Sequence, residues 1–140
     1  MLLTDNEIEK LQNKIALLET FTSAEIKIVF CKSAWFGIVS KAKKVFQKLN
    51  MDKTSNRNAV LILIVEKDKE LLIYGDQGIN THLNESYWSD IRDDMIDLFK
   101  SGQYYTGLSI GVEKIAQSLI QYFPIQENDI NEVSNEIVFL

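Results

Sequence analysis

Apolar positions are densest in two runs, Ala59 to Val65 and Leu71 to Tyr74, separated by the charged tetrapeptide Glu66-Lys67-Asp68-Lys69. This pattern predicts a β-hairpin, since the runs are mostly β-branched residues and leucine and the break has turn length. Strands this apolar are covered on both faces. The hairpin is therefore expected at the centre of a small mixed sheet with helices on either side, a three-layer α/β/α sandwich.

The other segments fit that frame. Thr4 and Glu7 have capping-box spacing, and Ile8, Leu11, Ile15 and Leu18 then share one face, which predicts a first helix over about Asp5 to Glu19. In Glu25 to Cys31, Ile26, Ile28 and Phe30 alternate with Glu25, Lys27 and Val29, as in a strand. Trp35, Ile38, Val39, Ala42, Val45, Phe46 and Leu49 mark a second helix, with lysines on its other faces. A polar loop, Asn50 to Asn56, leads into the hairpin. Asn84 caps a third helix carrying Tyr87, Trp88, Ile91, Met95, Leu98 and Phe99, which Ser101-Gly102 stops. A fourth helix starts near Tyr104 and ends before the only proline, Pro124. Residues 1–124 are thus expected to form one domain and residues 125–140 an acidic tail, whose end, Ile137 to Leu140, either packs as an edge strand or frays.

Topology brings polar residues together. The first strand, second helix and first hairpin strand form a βαβ unit, so the two strands run parallel and their entrances coincide. Thr22, Ser23 and Glu25 enter one, Arg57 and Asn58 enter the other, and Asp76 leaves the antiparallel third strand at the same edge. Carboxylates, an amide and hydroxyls form an oxygen-rich set suited to calcium or magnesium, with Arg57 placed for an anion.

A length of 140 residues, with 46% hydrophobic and 25% charged content, is that of one globular domain. A net charge of -5 and the absence of a basic stripe argue against general nucleic-acid binding. No apolar run is long enough for a membrane span, and the acidic N-terminus does not resemble a signal peptide. With Cys31 as the only cysteine, the expected location is cytoplasmic.

The motifs TSAEIKIVF, RNAVLILIVEKDKELLIYGDQGI, YWSDI and FKSGQYYTGLSIGVEKIAQSLIQYFP, in that order, resemble the TPM domain family over about Glu7 to Pro124, in its short single-domain bacterial form. The resemblance implies an α/β/α sandwich, divalent-metal binding, and acid phosphatase or nucleotide phosphohydrolase activity in some members. The matching positions are Ser23 and Glu25 of the TSxE motif, Arg57 and Asn58 of the RN motif, and Asp76 and Gly78 of the GDxG motif. Ala24 stands where many relatives have glycine. The signal peptide and membrane anchor of many relatives are not seen in this sequence. Asp76, Glu25, Asn58 and Ser23 are the candidate metal ligands, and Asp76, Glu25 and Arg57 the candidate catalytic groups, acting on a phosphate ester or nucleotide. No protein partner is specified.

Plainer roles stand beside these. Asp76 between two glycines can simply close a turn, and Arg57 can be a structural ion-pair partner. Asp90, Asp93, Asp94 and Asp97 form a stripe expected to be solvated, and Gly107 and Gly111 a spacing for close helix packing. His82 is expected at the surface. One His and one Cys argue against zinc. Gly37 stands where a cysteine phosphatase needs arginine, which makes Cys31 a core residue, and no GxxxxGK[ST] loop occurs. Three functions compete: a metal-dependent phosphohydrolase of low activity, a calcium-binding module without turnover, and a protein-interaction domain.

Overall fold

The computed structural model describes residues 2–126 and 133–140. Its first helix, α1 (Asp5–Leu18), opens with the expected capping box: Thr4 Oγ1 accepts from the Glu7 amide at 3.2 Å, and Glu7 Oε1 accepts from the Thr4 amide at 2.9 Å. Then follow β1 (Glu25–Cys31), α2 (Ile38–Lys48), a single 3-10 turn (Met51–Lys53), β2 (Ala59–Val65) and β3 (Glu70–Gly75). The chain continues through a one-turn α3 (Gln77–Asn80), α4 (Glu85–Lys100), α5 (Tyr104–Tyr122) and β4 (Val138–Phe139).

The sheet order is β3-β2-β1-β4. Strands β1 and β2 run parallel with Glu25 opposite Ala59, while β2 and β3 run antiparallel with Val60 opposite Gly75. Side-chain alternation then builds two cores. Ile26, Ile28, Phe30, Val60, Ile62 and Ile64 pack with residues of α1, α4 and α5, and Val29, Cys31, Leu61, Leu63 and Val65 pack with Ala42, Val45 and Phe46 of α2. Each fully buried side chain of this size contributes about 1.5–3 kcal/mol. The three-layer α/β/α sandwich is therefore the observed fold, but the hairpin is not its centre: β3 is an edge strand, and the parallel crossover makes β2 and β1 the inner pair.

Close approach joins α4 to α5. A Cβ on Gly107 would lie 2.8 Å from Phe99, and one on Gly111 2.3 Å from the Met95 sulfur, so the two glycines serve helix packing as their spacing predicts.

Two further regions differ from the expectation. The second helix begins at Ile38, not at Trp35, because Gly37 adopts a φ of 96° and breaks the helical path; Trp35 lies outside the core at 88% exposure. A short α3, for which the sequence pattern gives no signal, follows Asp76. Of the tail's two open fates, the structure takes the edge strand: Val138 and Phe139 pair in parallel with Val29 and Phe30, and Phe139 stacks on Phe30 at 5.2 Å. Val133 and Ile137 are buried, one in each core, while residues 127–132 of the acidic tail lie outside the described residues.

Candidate functional site

Asp76 follows the last residue of β3 and extends the ladder by one bond, its amide donating to the Ala59 carbonyl at 3.0 Å. Its carboxylate caps α3, Oδ1 accepting from the Gln77 amide at 2.8 Å, as a helix N-cap aspartate does. The turn is closed against the β2 entrance. The Gly78 amide donates to the Arg57 carbonyl at 2.9 Å, and a Cβ on Gly78 would lie 2.4 Å from the Asn56 carbonyl oxygen and 2.6 Å from that of Arg57. Only glycine permits this backbone contact, which accounts physically for the GDxG spacing.

The contact fixes Arg57 as well. Its backbone is left-handed, at a φ of 51°, which a non-glycine residue adopts rarely. From there the guanidinium grips Asp76 in a two-bond fork, Nε to Oδ2 at 2.6 Å and Nη2 to Oδ1 at 2.9 Å. The hydrogen bonds to Asp76 raise the Arg57 pKa, burial opposes them, and the charges of Asp76 and Asp52 add to the increase. The Asp76 side chain is 7% exposed and that of Arg57 39%. Asp52, on the 3-10 turn, is a participant that sequence reasoning missed. Its Oδ1 is buried and accepts no hydrogen bond among the described residues. The only sequence signal was its place in the loop leading to the RN motif.

Glu25, Asn58 and Ser23 share this end of the sheet but have other partners. Glu25 Oε1 accepts from the Val133 amide at 2.9 Å, tying the returning tail to the β1 entrance. Asn58, buried at 2% exposure, donates from Nδ2 to Ser23 Oγ at 3.3 Å, and its amide meets Thr54 Oγ1 at 3.3 Å. The Ser23 amide donates to the Phe123 carbonyl at 2.9 Å. Thus the structure joins Arg57 directly to Asp76 and Asn58 to Ser23. Glu25 and Asp76 both flank Ala59 but stand two strands apart, about 10 Å between backbones.

A second unanticipated carboxylate is Glu19, just beyond α1. The β1 backbone turns the Ile26 N–H toward the sheet edge, where β4 pairs only at Val29 and Phe30, and Glu19 Oε2 accepts it at 2.7 Å. Burial pushes the Glu19 pKa up to about 8; the bond from Ile26 lowers it, nearby Glu25 raises it and Lys27 lowers it. Lys27 is itself buried, which lowers its pKa against the attraction of Glu136 and Glu19, and its Nζ donates to the Ser134 carbonyl at 2.9 Å.

Chemically, this end offers oxygen donors suited to a hard cation and a guanidinium suited to an anion. Asp52 has an unsatisfied oxygen there, and Asp52, Arg57 and Asp76 together carry a net negative charge. No group of three or more His, Cys, Asp or Glu side chains among the described residues is close enough to hold a metal ion. A cation would therefore have to draw on fewer carboxylates, with amide, hydroxyl or water oxygens completing its shell. Cys31 lies at the opposite end of β1, and burial raises its pKa, so it does not supply a thiolate. His82 stacks on Tyr122 at 5.2 Å, and the acidic stripe of α4 is exposed, Asp94 pairing with Lys114 at 2.9 Å.

Comparison with known proteins bears on this arrangement. The family model described as TPM domain matches residues 1–118. The solution structure of the BA42 protein from the psychrophilic bacterium Bizionia argentinensis is similar at a TM-score of 0.90 and 36% identity, covering 98% of this chain and 94% of that one. The solution structure of the N-terminal domain of a P. gingivalis protein is similar in fold at a TM-score of 0.72 and 23% identity, covering 91% of this chain and 83% of that one. No curated protein matches the chain.

Proposed function

The chain belongs to the TPM domain family, and from that premise we propose that it binds calcium or magnesium at the strand-entrance end and hydrolyses a phosphate ester or nucleotide there at low rate. The observation that carries the proposal is the Arg57–Asp76 fork beside the unsatisfied Asp52 oxygen. Asp76 and Asp52 would hold the cation, while Glu25, Asn58 and Ser23 keep the strand entrances in place around it. A divalent cation, when bound, polarises a phosphoryl oxygen and lowers the pKa of a coordinated water.

The protein's own contribution is orientation and charge. Arg57 has five N–H donors and uses two on Asp76, so a phosphate oxygen can bind the remaining donors while the fork stays intact. The left-handed backbone at Arg57 and the Gly78 contact hold that guanidinium on rigid elements. Asp76, almost fully covered, stays an acceptor and holds Arg57 in position.

A calcium-binding module without turnover is the second reading. It is favoured by the position of Cys31, the chain's single thiol, at the opposite end of β1 from this site. The two readings separate in one experiment: amide NMR titration with calcium and with magnesium, then with nucleotide, alongside a phosphate-ester hydrolysis assay. Metal-dependent shifts at residues 52–58 and 76–78 with turnover support the enzyme. The same shifts without turnover support the module. Shifts confined to the α4 acidic stripe defeat both.

A further inference from the structure

The exit end of the parallel strands carries an apolar and basic surface that the proposed site does not use. The Gly37 amide donates to the Ala34 carbonyl at 3.2 Å, making Trp35 and Phe36 the central residues of a turn. Their side chains project into solvent at 88% and 84% exposure. A folded protein gains nothing internal from two adjacent exposed aromatics, and such a patch marks an interaction site. The surroundings specify its chemistry. Lys32, Lys41, Lys43 and Lys44 lie around the turn, and the β2–β3 turn, bonded to Cys31 and Lys32 at this same end, adds Lys67 and Lys69 against Glu66, Asp68 and Glu70, so this end carries a net +3 and the rest of the chain -8. Lys44 Nζ stands 5.3 Å over the Phe36 ring, and Lys32, Lys43 and Lys44 are exposed.

We propose that the Trp35-Phe36 turn and the lysines of α2 form a docking surface for an anionic lipid bilayer. Aromatic rings, above all tryptophan, partition to the headgroup level of a bilayer, and lysines near an anionic surface each add about 1 kcal/mol of attraction. A protruding turn of two rings suits a deformable interface, whereas a stable protein partner requires a matched patch of about 800 Å² on each side. Charge complementarity orients the molecule, because the local cationic surface faces the lipid while the acidic remainder is repelled. The Asp76 end, seven β1 residues away and thus about 20 Å distant, would then face the solution. This docking does not depend on the metal-site reading.

The test is flotation of the full chain with vesicles of phosphatidylcholine alone and of phosphatidylcholine mixed with phosphatidylglycerol, read together with tryptophan emission. Of the two tryptophans, Trp88 is buried at 3% exposure, so a blue shift on binding reports Trp35. The expected result is flotation with the anionic vesicles only, weakened by salt and accompanied by a blue shift. The double variant Trp35→Ala/Phe36→Ala should partition at least about tenfold more weakly. The triple variant Lys41→Gln/Lys43→Gln/Lys44→Gln should lose binding, with both variants melting as the parent does. No flotation, flotation unchanged in the ring variant, or an unshifted emission from floated protein overturns the proposal. So does concentration-dependent self-association without lipid that the ring variant abolishes, which would assign the surface to protein contact.

Discussion

The two ends of the parallel strands are built on opposite plans. At the entrance end, polar groups are pinned: Asp76 to Arg57 and Gln77, Asn58 to Ser23, Glu19 to Ile26, Glu25 to Val133. At the exit end, the most exposed aromatics in the chain, Trp35 and Phe36, sit among lysines. Backbone and side-chain hydrogen bonds make the first end rigid, so its geometry is a consequence of folding. The second end contributes little to folding and has its apolar surface still to bury. Substitutions should therefore separate the ends: the entrance responds in stability and local geometry, the exit in binding alone.

The largest effect at the entrance end is expected at Gly78. Gly78→Val forces a side chain into the carbonyls of Asn56 and Arg57, less than 3 Å from its Cβ position, and overpacking against backbone should cost about 3 kcal/mol. Urea unfolding measures it. An unchanged midpoint would show that the entrance end yields easily and would remove the contrast between the ends.

Glu19 tests the same rigidity through pH. Its folded pKa of about 8 lies above its ordinary value of 4.5, so the folded state binds the proton more tightly than the unfolded one. Stability should be highest below pH 4.5 as far as this group is concerned, fall between pH 4.5 and 8, and stay flat above. At about 1.4 kcal/mol per pKa unit the ceiling is about 5 kcal/mol, and screening of a partly exposed side chain brings the expected fall to about 2 kcal/mol. Glu19→Gln should flatten that slope and raise stability at pH 8. A slope unaltered in the variant assigns the pH dependence to another group.

The legibility of the molecule follows the same division. The strands, hairpin and helix caps were readable because each rests on local periodicity or spacing: Thr4 with Glu7, Asn84 with Tyr87, alternating residues in β1. Convergence of Ser23, Glu25, Arg57, Asn58 and Asp76 on one end followed from the parallel βαβ crossover together with the antiparallel hairpin. Who bonds to whom did not, because side-chain partners depend on strand face and loop path. Asp76 stands across from Ala59 and shares its face of the sheet, whereas Asn58, which precedes Ala59 at the start of β2, points to the other face, and Val133 reaches Glu25 across 108 residues of sequence. Asp52 and Glu19 were hidden for that reason. Trp35 was misplaced because it falls on the helical period of α2, and the period carries no information about where Gly37 stops it.

Asp76→Asn comes next in size. The amide keeps an oxygen to accept from Gln77, so the α3 cap survives, while the negative charge facing Arg57 and any cation is lost. Calcium or magnesium affinity should drop at least about tenfold, equivalent to about 1.4 kcal/mol, and any phosphate hydrolysis should fall with it. Calorimetric titration measures the first and a phosphate-release assay the second. Unaltered affinity with a marked loss of thermal stability would make Asp76 a structural turn residue, and the pinned end would then be scaffold only.

The smallest effect sharpens the comparison most. Trp35→Ala removes the most exposed large hydrophobic side chain among the described residues, and Trp88→Ala removes one at 3% exposure from the main core. Equal chemistry deleted from the two environments should differ widely. The core substitution should cost about 3–5 kcal/mol, and the surface one less than about 0.5 kcal/mol. A thermal melt of each against the parent decides it. Should Trp35→Ala also destabilise by several kcal/mol, the ring must pack on the protein in solution. The exit end would then be part of the scaffold, and its free apolar surface, on which the bilayer proposal stands, would not exist.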